Sequence, residues 1–267
     1  MELGAQLETV ALDIVKSAGA LLLNRPDNLE FSTKSSAVDV VTEMDKASEE
    51  FIKGYLATHR PGDGLLGEEG SDIASSTGIT WVVDPIDGTV NYLYQLPGWN
   101  ISVAAVRDGQ TLAGAVYAPL LSGGMLWSAY RGGGARLQKG SAPAQSIRAN
   151  TDVPLDRALL ATGFSYSQTT RTKQGARFAQ LIPQVRDIRR MGAAAVDLCF
   201  VACGMVDGYF EEELAPWDLA AGELIATEAG ALVTDGAGGK AGRHMVVAAH
   251  PSLHGEICAL LARVARG

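Results

Sequence analysis

The chain has 267 residues, 47% hydrophobic and 19% charged, with a formal net charge of −8 and a pI near 5.0. This composition excludes a low-complexity chain and argues against nucleic acid as the main ligand, since neutralising phosphates takes clustered Lys and Arg. Three cysteines, Cys199, Cys203 and Cys258, are an odd, low count that suits a reducing cytoplasm and not a disulfide framework.

Residues 3–23 read as an amphipathic helix, broken at Asn24-Arg25-Pro26; Asp13 and Lys16 interrupt its apolar pattern, and no stretch reaches membrane-spanning length without charges. A second helix is predicted over 38–58, with Thr42 and Asp45 near its entry and Phe51, Ile52, Tyr55 and Leu56 as its apolar stripe. Pro61-Gly62-Asp63-Gly64 is a turn, and Leu65–Gly70 is a short strand running into a Gly-bounded loop. Thr80–Val83 is a buried strand expected to end at Asp84, because Pro85 cannot continue a central ladder. Residues 100–107 and 111–118 alternate about Asp108-Gly109, a hairpin signal, and strands follow at 125–130 and 135–138.

The polar segment 141–154 divides one domain into an N-terminal lobe of about 1–145 and a C-terminal lobe of about 150–267. Beyond it the pattern predicts strands at 159–162, 188–191, 208–211, 231–234 and 245–249. Helices are predicted at 170–183, 193–203, 217–230 and 251–264. Strands and helices mixed in both halves indicate layered α/β structure. Cys199 and Cys203 lie four apart in an apolar helix with no partners for zinc, so they read as small hydrophobes. Arg186, Arg189 and Arg190 form the one dense basic cluster and read as a solvated face.

Three segments carry carboxylates at the edge of an apolar element: Gly67-Glu68-Glu69-Gly70, Trp81-Val82-Val83-Asp84-Pro85-Ile86-Asp87-Gly88-Thr89 and Pro216-Trp217-Asp218-Leu219. Taken singly, each has a plain structural reading, as a solvated loop pair or a helix cap. Gathered in one pocket they would repel one another unless cations intervened. Two Mg²⁺ would offset four negative charges, and a third would offset an arriving phosphate dianion, which suits metal-assisted phosphoryl transfer. An aspartyl-phosphate mechanism fits poorly, since it uses acids two apart near the N-terminus, whereas Asp84 and Asp87 are three apart.

With these segments, the chain from about Lys34 to Gly230 resembles the inositol monophosphatase family, a group of lithium-sensitive, Mg²⁺-dependent phosphatases. Trp81–Tyr94 and Trp217–Ala231 match its two signature stretches without a gap. The resemblance implies a layered α-β-α-β-α sandwich, homodimers, two or three Mg²⁺ per site, and hydrolysis of a small soluble phosphate monoester by activated water, most simply myo-inositol monophosphate. It implies that Glu68, Asp84, the Ile86 carbonyl, Asp87 and Asp218 hold the metals. Glu68 and Thr89 would activate the water, with Asp45 supporting Thr89. Glu69 and Lys34 would stand just behind. Asp87, Gly88, Thr89, Ala194 and Glu211 would contact substrate, Glu211 through its hydroxyls. Where the family commonly has Thr, this chain has Ala193, which removes one polar contact. The acidic run Glu211-Glu212-Glu213 argues mildly for a monophosphate over a bisphosphate. Within the same family, histidinol-phosphate phosphatase, sugar bisphosphatase and 3′-phosphoadenosine 5′-phosphate phosphatase are the rival activities. A transcription- or ribosome-associated binding protein is the non-enzymatic rival.

Overall fold

The structure is a computed structural model in which residues 2–265 are described. Helix α1 (Leu3–Leu23) leads into a two-stranded ribbon, β1 (Phe31–Thr33) and β2 (Val40–Thr42), and then helix α2 (Glu43–His59). A large sheet follows from β3 (Gly64–Gly67), β4 (Asp72–Ile73), β5 (Thr80–Asp87), β6 (Asn100–Arg107), β7 (Gln110–Ala118), β8 (Met125–Tyr130), β9 (Ala135–Lys139) and β10 (Gln145–Ser146). Its order is β10-β9-β8-β7-β6-β5-β3-β4, and a short helix α3 (Thr89–Leu93) leaves the end of β5. The second sheet contains β11 (Leu159–Thr162), β12 (Asp187–Arg189), β13 (Gly208–Glu211), β14 (Leu232–Thr234) and β15 (Val246–Ala249), ordered β12-β11-β13-β15-β14. Its helices are α4 (Gln168–Leu181), α5 (Ala194–Ala202), α6 (Pro216–Glu228) and α7 (Pro251–Val264).

Helices α1 and α2 cover one face of the large sheet, α5 and α6 fill the space between the sheets, and α4 and α7 close the outer face of the small sheet. The layers run α-β-α-β-α, as the resemblance implied. Strand alternation sorts side chains between layers. On β6, Ile101, Val103 and Ala105 join the α1/α2 core while Ala104 joins the central one. On β15, Val246 and Ala248 face the centre and Val247 and Ala249 face α7. The central core takes Val116 and Trp127 from before residues 141–154 and Leu198 and Ile225 from after them. Every residue of α5 is buried, so it carries no polar stripe. A Cβ at Gly222 of α6 would meet Leu198 Cδ1 at 2.7 Å, so only glycine allows α6 to lie this close to α5.

Most elements fall within two residues of expectation, and two differ with a physical cause. Helix α2 begins at Glu43, not at 38: Thr42 accepts from the Met44 and Asp45 N–H groups while Asp45 accepts from the Thr42 N–H, a closed capping box that leaves Val40–Thr42 in a strand. Strand β5 does not stop at Asp84 but runs through Pro85 to Asp87. Its register against β6 shifts between Asp84 (opposite Ser102) and Asp87 (opposite Asn100), and Pro85 sits inside that bulge, where the missing N–H breaks no regular pair.

Asp63, in the turn before β3, ties that turn to β5. Its carboxylate accepts from Arg60 Nε (2.7 Å), Trp81 Nε1 (2.9 Å) and Thr77 Oγ1 (2.5 Å). Burial works to raise its pKa, but these donors outweigh it and hold the carboxyl below the usual carboxylate range. Replacing Asp63 with alanine leaves the Trp81 indole N–H buried without an acceptor, and urea melts are expected to register a loss of about 2 kcal/mol at pH 7. Because the folded-state pKa is the lower one, this stabilisation is full above the unfolded-state value, near 4, and fades as pH falls through the folded value. The gap between wild type and variant should therefore narrow in acid. A gap independent of pH would sink the assignment.

Candidate active site

A cleft of about 540 Å³ opens where the ends of β3 and β5 meet the first turns of α3, α5 and α6. It is lined by Glu68, Asp84, Asp87 and Asp218, with Ile86, Gly88, Thr89, Ala194, Glu211 and Lys34 around them. All of the expected residues except Asp45 and Glu69 thus line one cavity, and those two touch residues that do. In an unbroken strand Asp84 and Asp87, three apart, would point to opposite faces. The one-residue bulge restores a common side.

Each aspartate gives one oxygen to the scaffold. Asp84 Oδ1 accepts from the Ile86 N–H (3.1 Å). Asp87 Oδ2 accepts from Asn100 Nδ2 (2.8 Å) and from the Ala195 N–H (2.9 Å). Helix α5 is preceded by Ala193, whose methyl group cannot cap it, so Asp87 supplies the acceptor from the other half of the molecule. Asp218 Oδ2 accepts from the Ala215 N–H (2.7 Å), closing the first turn of α6 behind Pro216. All three aspartates also line the cleft. The cap reading and the ligand reading are therefore compatible.

Thr89 Oγ1 lies 3.1 Å from Asp45 Oδ1 and 3.1 Å from the Ile86 carbonyl. Asp45 is in turn fixed by the Thr42 N–H (2.7 Å) and hydroxyl (2.5 Å). Lys34, in the ribbon loop, places Nζ 2.8 Å from Glu68 and 2.5 Å from Glu69. On the far wall Tyr209 donates to Glu211 Oε2 at 2.7 Å, and the Glu211 carboxylate fills the space a Cβ would need at Gly163.

Burial first, and mutual repulsion second, push Asp84 well above the usual carboxylate range; Asp218 moves the same way. Asp87 is raised to about 6, burial outweighing the bonds from Asn100 and Ala195. Burial likewise raises Asp45 to about 6, and Glu69 and Glu211 to about 7. Lys34 moves up although burial opposes it, because Glu68 and Glu69 flank it. Such a cluster holds more negative charge than its surroundings stabilise, and it is completed by protons or by cations. Hard oxygen donors in this number fit a hard divalent cation. Among the described residues, no three His, Cys, Asp or Glu side chains are drawn together closely enough to hold an ion outright. Lys34 supplies positive charge at Glu68.

One sequence reading needs correction. The acidic run after β13 is not a bare negative patch: Glu212 forms a paired contact with Arg177 (2.8 and 2.6 Å), and Glu213 accepts from Ser165 and Thr170. The basic cluster is solvated as expected, with Arg186, Arg189 and Arg190 all exposed. Arg186 donates to the Arg157 carbonyl and Arg189 pairs with Asp187, while Arg190 lines the cleft. Sequence reasoning also missed Ser48 and Glu49, which contact the cleft segments from α2. The available signal was two polar residues at positions that continue the Ile52–Leu56 stripe.

The model of the inositol monophosphatase family matches residues 4–266. An inositol-1-monophosphatase of Mycobacterium leprae is 46% identical over 239 residues, covering 86% of this chain and 80% of its own. A Pasteurella multocida protein named Nus factor SuhB is 39% identical over 248 residues, covering 90% of each chain. The solved structure of Mycobacterium tuberculosis SuhB superposes with a TM-score of 0.83 at 38% identity, covering 97% of both chains. Sandwich, motif order and whole-length similarity agree: the chain belongs to the inositol monophosphatase family.

Proposed function

We propose that the protein hydrolyses a small phosphate monoester with the help of Mg²⁺, and that myo-inositol monophosphate is its favoured substrate. The observation that carries this reading is the convergence of Glu68, Asp84, Asp87 and Asp218 on a cleft bordered by the first turns of three helices. The acids select hard cations, and helix N-termini favour phosphate oxygens. Mg²⁺, held by those four side chains and the Ile86 carbonyl, would supply Lewis-acid charge to the phosphoryl group and the attacking water.

The chain's own groups do the rest. Thr89 donates a hydrogen bond to Asp45 or the Ile86 carbonyl, which leaves its lone pairs to accept a hydrogen bond from water and orient it. Glu68 takes up the water proton as the oxygen closes on phosphorus. The P–O bond to the alcohol breaks in line, and the alkoxide leaves on the opposite side as the alcohol once protonated from solvent. The Gly88 and Thr89 N–H groups at the start of α3 steady the equatorial oxygens. No covalent enzyme intermediate is needed. Glu211, fixed by Tyr209, accepts hydrogen bonds from substrate hydroxyls while Ala194 leaves room beside it.

With Glu212 paired to Arg177, the charge of the run argues less against a bisphosphate. The preference for inositol monophosphate rests on Glu211 and on relatives named inositol-1-monophosphatase. Relatives named Nus factor keep a binding role beside catalysis in view, but the complete acid set favours an enzyme. Homodimers, cytoplasmic residence and competition by Li⁺ at a Mg²⁺ position belong to the same reading. Phosphate release is the test, measured with Mg²⁺ for inositol 1-phosphate, histidinol phosphate, fructose 1,6-bisphosphate and 3′-phosphoadenosine 5′-phosphate. The highest kcat/KM is expected for inositol 1-phosphate, with no release in EDTA. A higher value for another substrate would keep the chemistry and change the alcohol, and no metal-dependent release from any of them would reject the enzyme.

A further inference from the structure

Helix α2 buries a stripe that begins polar and ends apolar. Asp45, Ser48 and Glu49 are 0%, 0% and 3% exposed, and Ile52 and Leu56 continue the same face into the core. Spacings of three and four residues put all five on one side of the helix. Three buried polar side chains in a row would be costly without partners. Each has one, and each partner lies on a different segment of the cleft. Asp45 accepts from Thr89 at the head of α3. Ser48 Oγ donates to the Pro85 carbonyl (3.2 Å), inside the bulge between Asp84 and Ile86. Glu49 takes the Glu69 N–H (2.8 Å) on one oxygen and the Ser71 N–H (2.9 Å) on the other.

Glu49 grips the loop tightly. Its carboxylate occupies the place where a Cβ would stand at Gly67, so the residue before Glu68 has no room for a side chain. Both carboxylate oxygens are taken by backbone N–H groups, so Glu49 serves the loop and not an ion.

We propose that α2 is a spacer that sets the mutual distance of the three cleft segments, with Glu49 and Ser48 as positioning residues acting through Glu68 and Asp84. This inference rests on the metal-dependent reading of the cleft. It assigns work to two residues that touch neither substrate nor metal.

The test uses Mn²⁺ as a spectroscopic substitute for Mg²⁺, with binding followed by electron paramagnetic resonance in the absence of substrate. Variants are Glu49→Ala, Glu49→Gln, Ser48→Ala and Glu68→Gln, together with Glu49→Ala/Glu68→Gln. Glu49→Ala is expected to weaken Mn²⁺ by about tenfold or more, and Glu49→Gln, which keeps one acceptor, by less. In the Glu68→Gln background, removing Glu49 should cost no further affinity. Hydrogen exchange at residues 67–71 should accelerate in Glu49→Ala while α1 and β7 exchange as in wild type. Ser48→Ala, the smallest change, should weaken Mn²⁺ in the same direction with the fold intact. Wild-type affinity in both Glu49→Ala and Ser48→Ala overturns the proposal. So does an equal further loss in the Glu68→Gln background, which would mark general destabilisation. Failure of the phosphatase reading looks different: wild-type protein would release phosphate from no monoester, while the binding and exchange results would still decide what Glu49 does.

Discussion

Replacing Asp84 with asparagine is expected to raise the stability of the metal-free protein while removing phosphate release. Asp84 is 2% exposed and faces Glu68, Asp87 and Asp218, so burial and repulsion both disfavour its charge. Asparagine keeps the oxygen that receives the Ile86 N–H and removes the charge. A gain of about 1–2 kcal/mol in the absence of metal follows, or several degrees in Tm for a chain of this size. Catalysis moves the other way. Losing one of the four carboxylates proposed to hold Mg²⁺ should remove several kcal/mol of transition-state stabilisation, a fall of about 10³-fold or more in kcat. Thermal scans with and without Mg²⁺ separate the two effects. Wild type should gain about 2.7 kcal/mol at a Mg²⁺ concentration 100 times Kd, and Asp84→Asn much less. A variant less stable than wild type without metal would mean that Asp84 is structural and not strained by its charge.

Gly163→Ala should change which alcohols are accepted and leave the phosphate chemistry alone. The new methyl group would occupy the volume of the Glu211 carboxylate and force it off the Tyr209 hydroxyl. A hydrogen bond between a substrate hydroxyl and a charged acceptor is worth about 1.5–3 kcal/mol, so kcat/KM for inositol 1-phosphate should fall about 10- to 100-fold. An aryl phosphate such as p-nitrophenyl phosphate has no hydroxyl for Glu211 to receive, and its kcat/KM should change little. Equal losses on the two substrates would show that the substitution disturbs the phosphate end, and the role given to Glu211 would fall.

What could be read from sequence divides along physical lines. Helices α1 and α7 match their expected spans, because Asn24-Arg25-Pro26 follows the one, Pro251 opens the other, and each carries an apolar face at helical spacing. The β6–β7 hairpin is equally local, with Asp108 and Gly109 at φ 50° and 71°. The acids of the cleft were visible because each sits beside Gly or Pro at the end of an apolar run. The bulge in β5 was not, because it depends on how β6 pairs with β5 and not on Pro85 alone. The contacts of Ser48 and Glu49 span 37, 20 and 22 residues, and no local pattern announces such partners. The pairing of Glu212 was hidden for the same reason, since Arg177 lies 35 residues before it.

Helix α5, buried on every side and capped by Asp87 from the other half, joins two bodies of sequence with different duties. Glu68, Asp84, Ile86, Asp87 and Thr89 all precede residue 141, whereas Gly163, Ala194, Glu211 and Asp218 all follow residue 154. Under the proposed reading, mutational drift around Gly163, Ala194 and Glu211 can therefore retune the alcohol as long as Asp218 is kept. One ancestral scaffold could in this way diversify its substrates by changing half of its gene, provided that the hydrogen bond from Ala195 to Asp87 kept the halves in register.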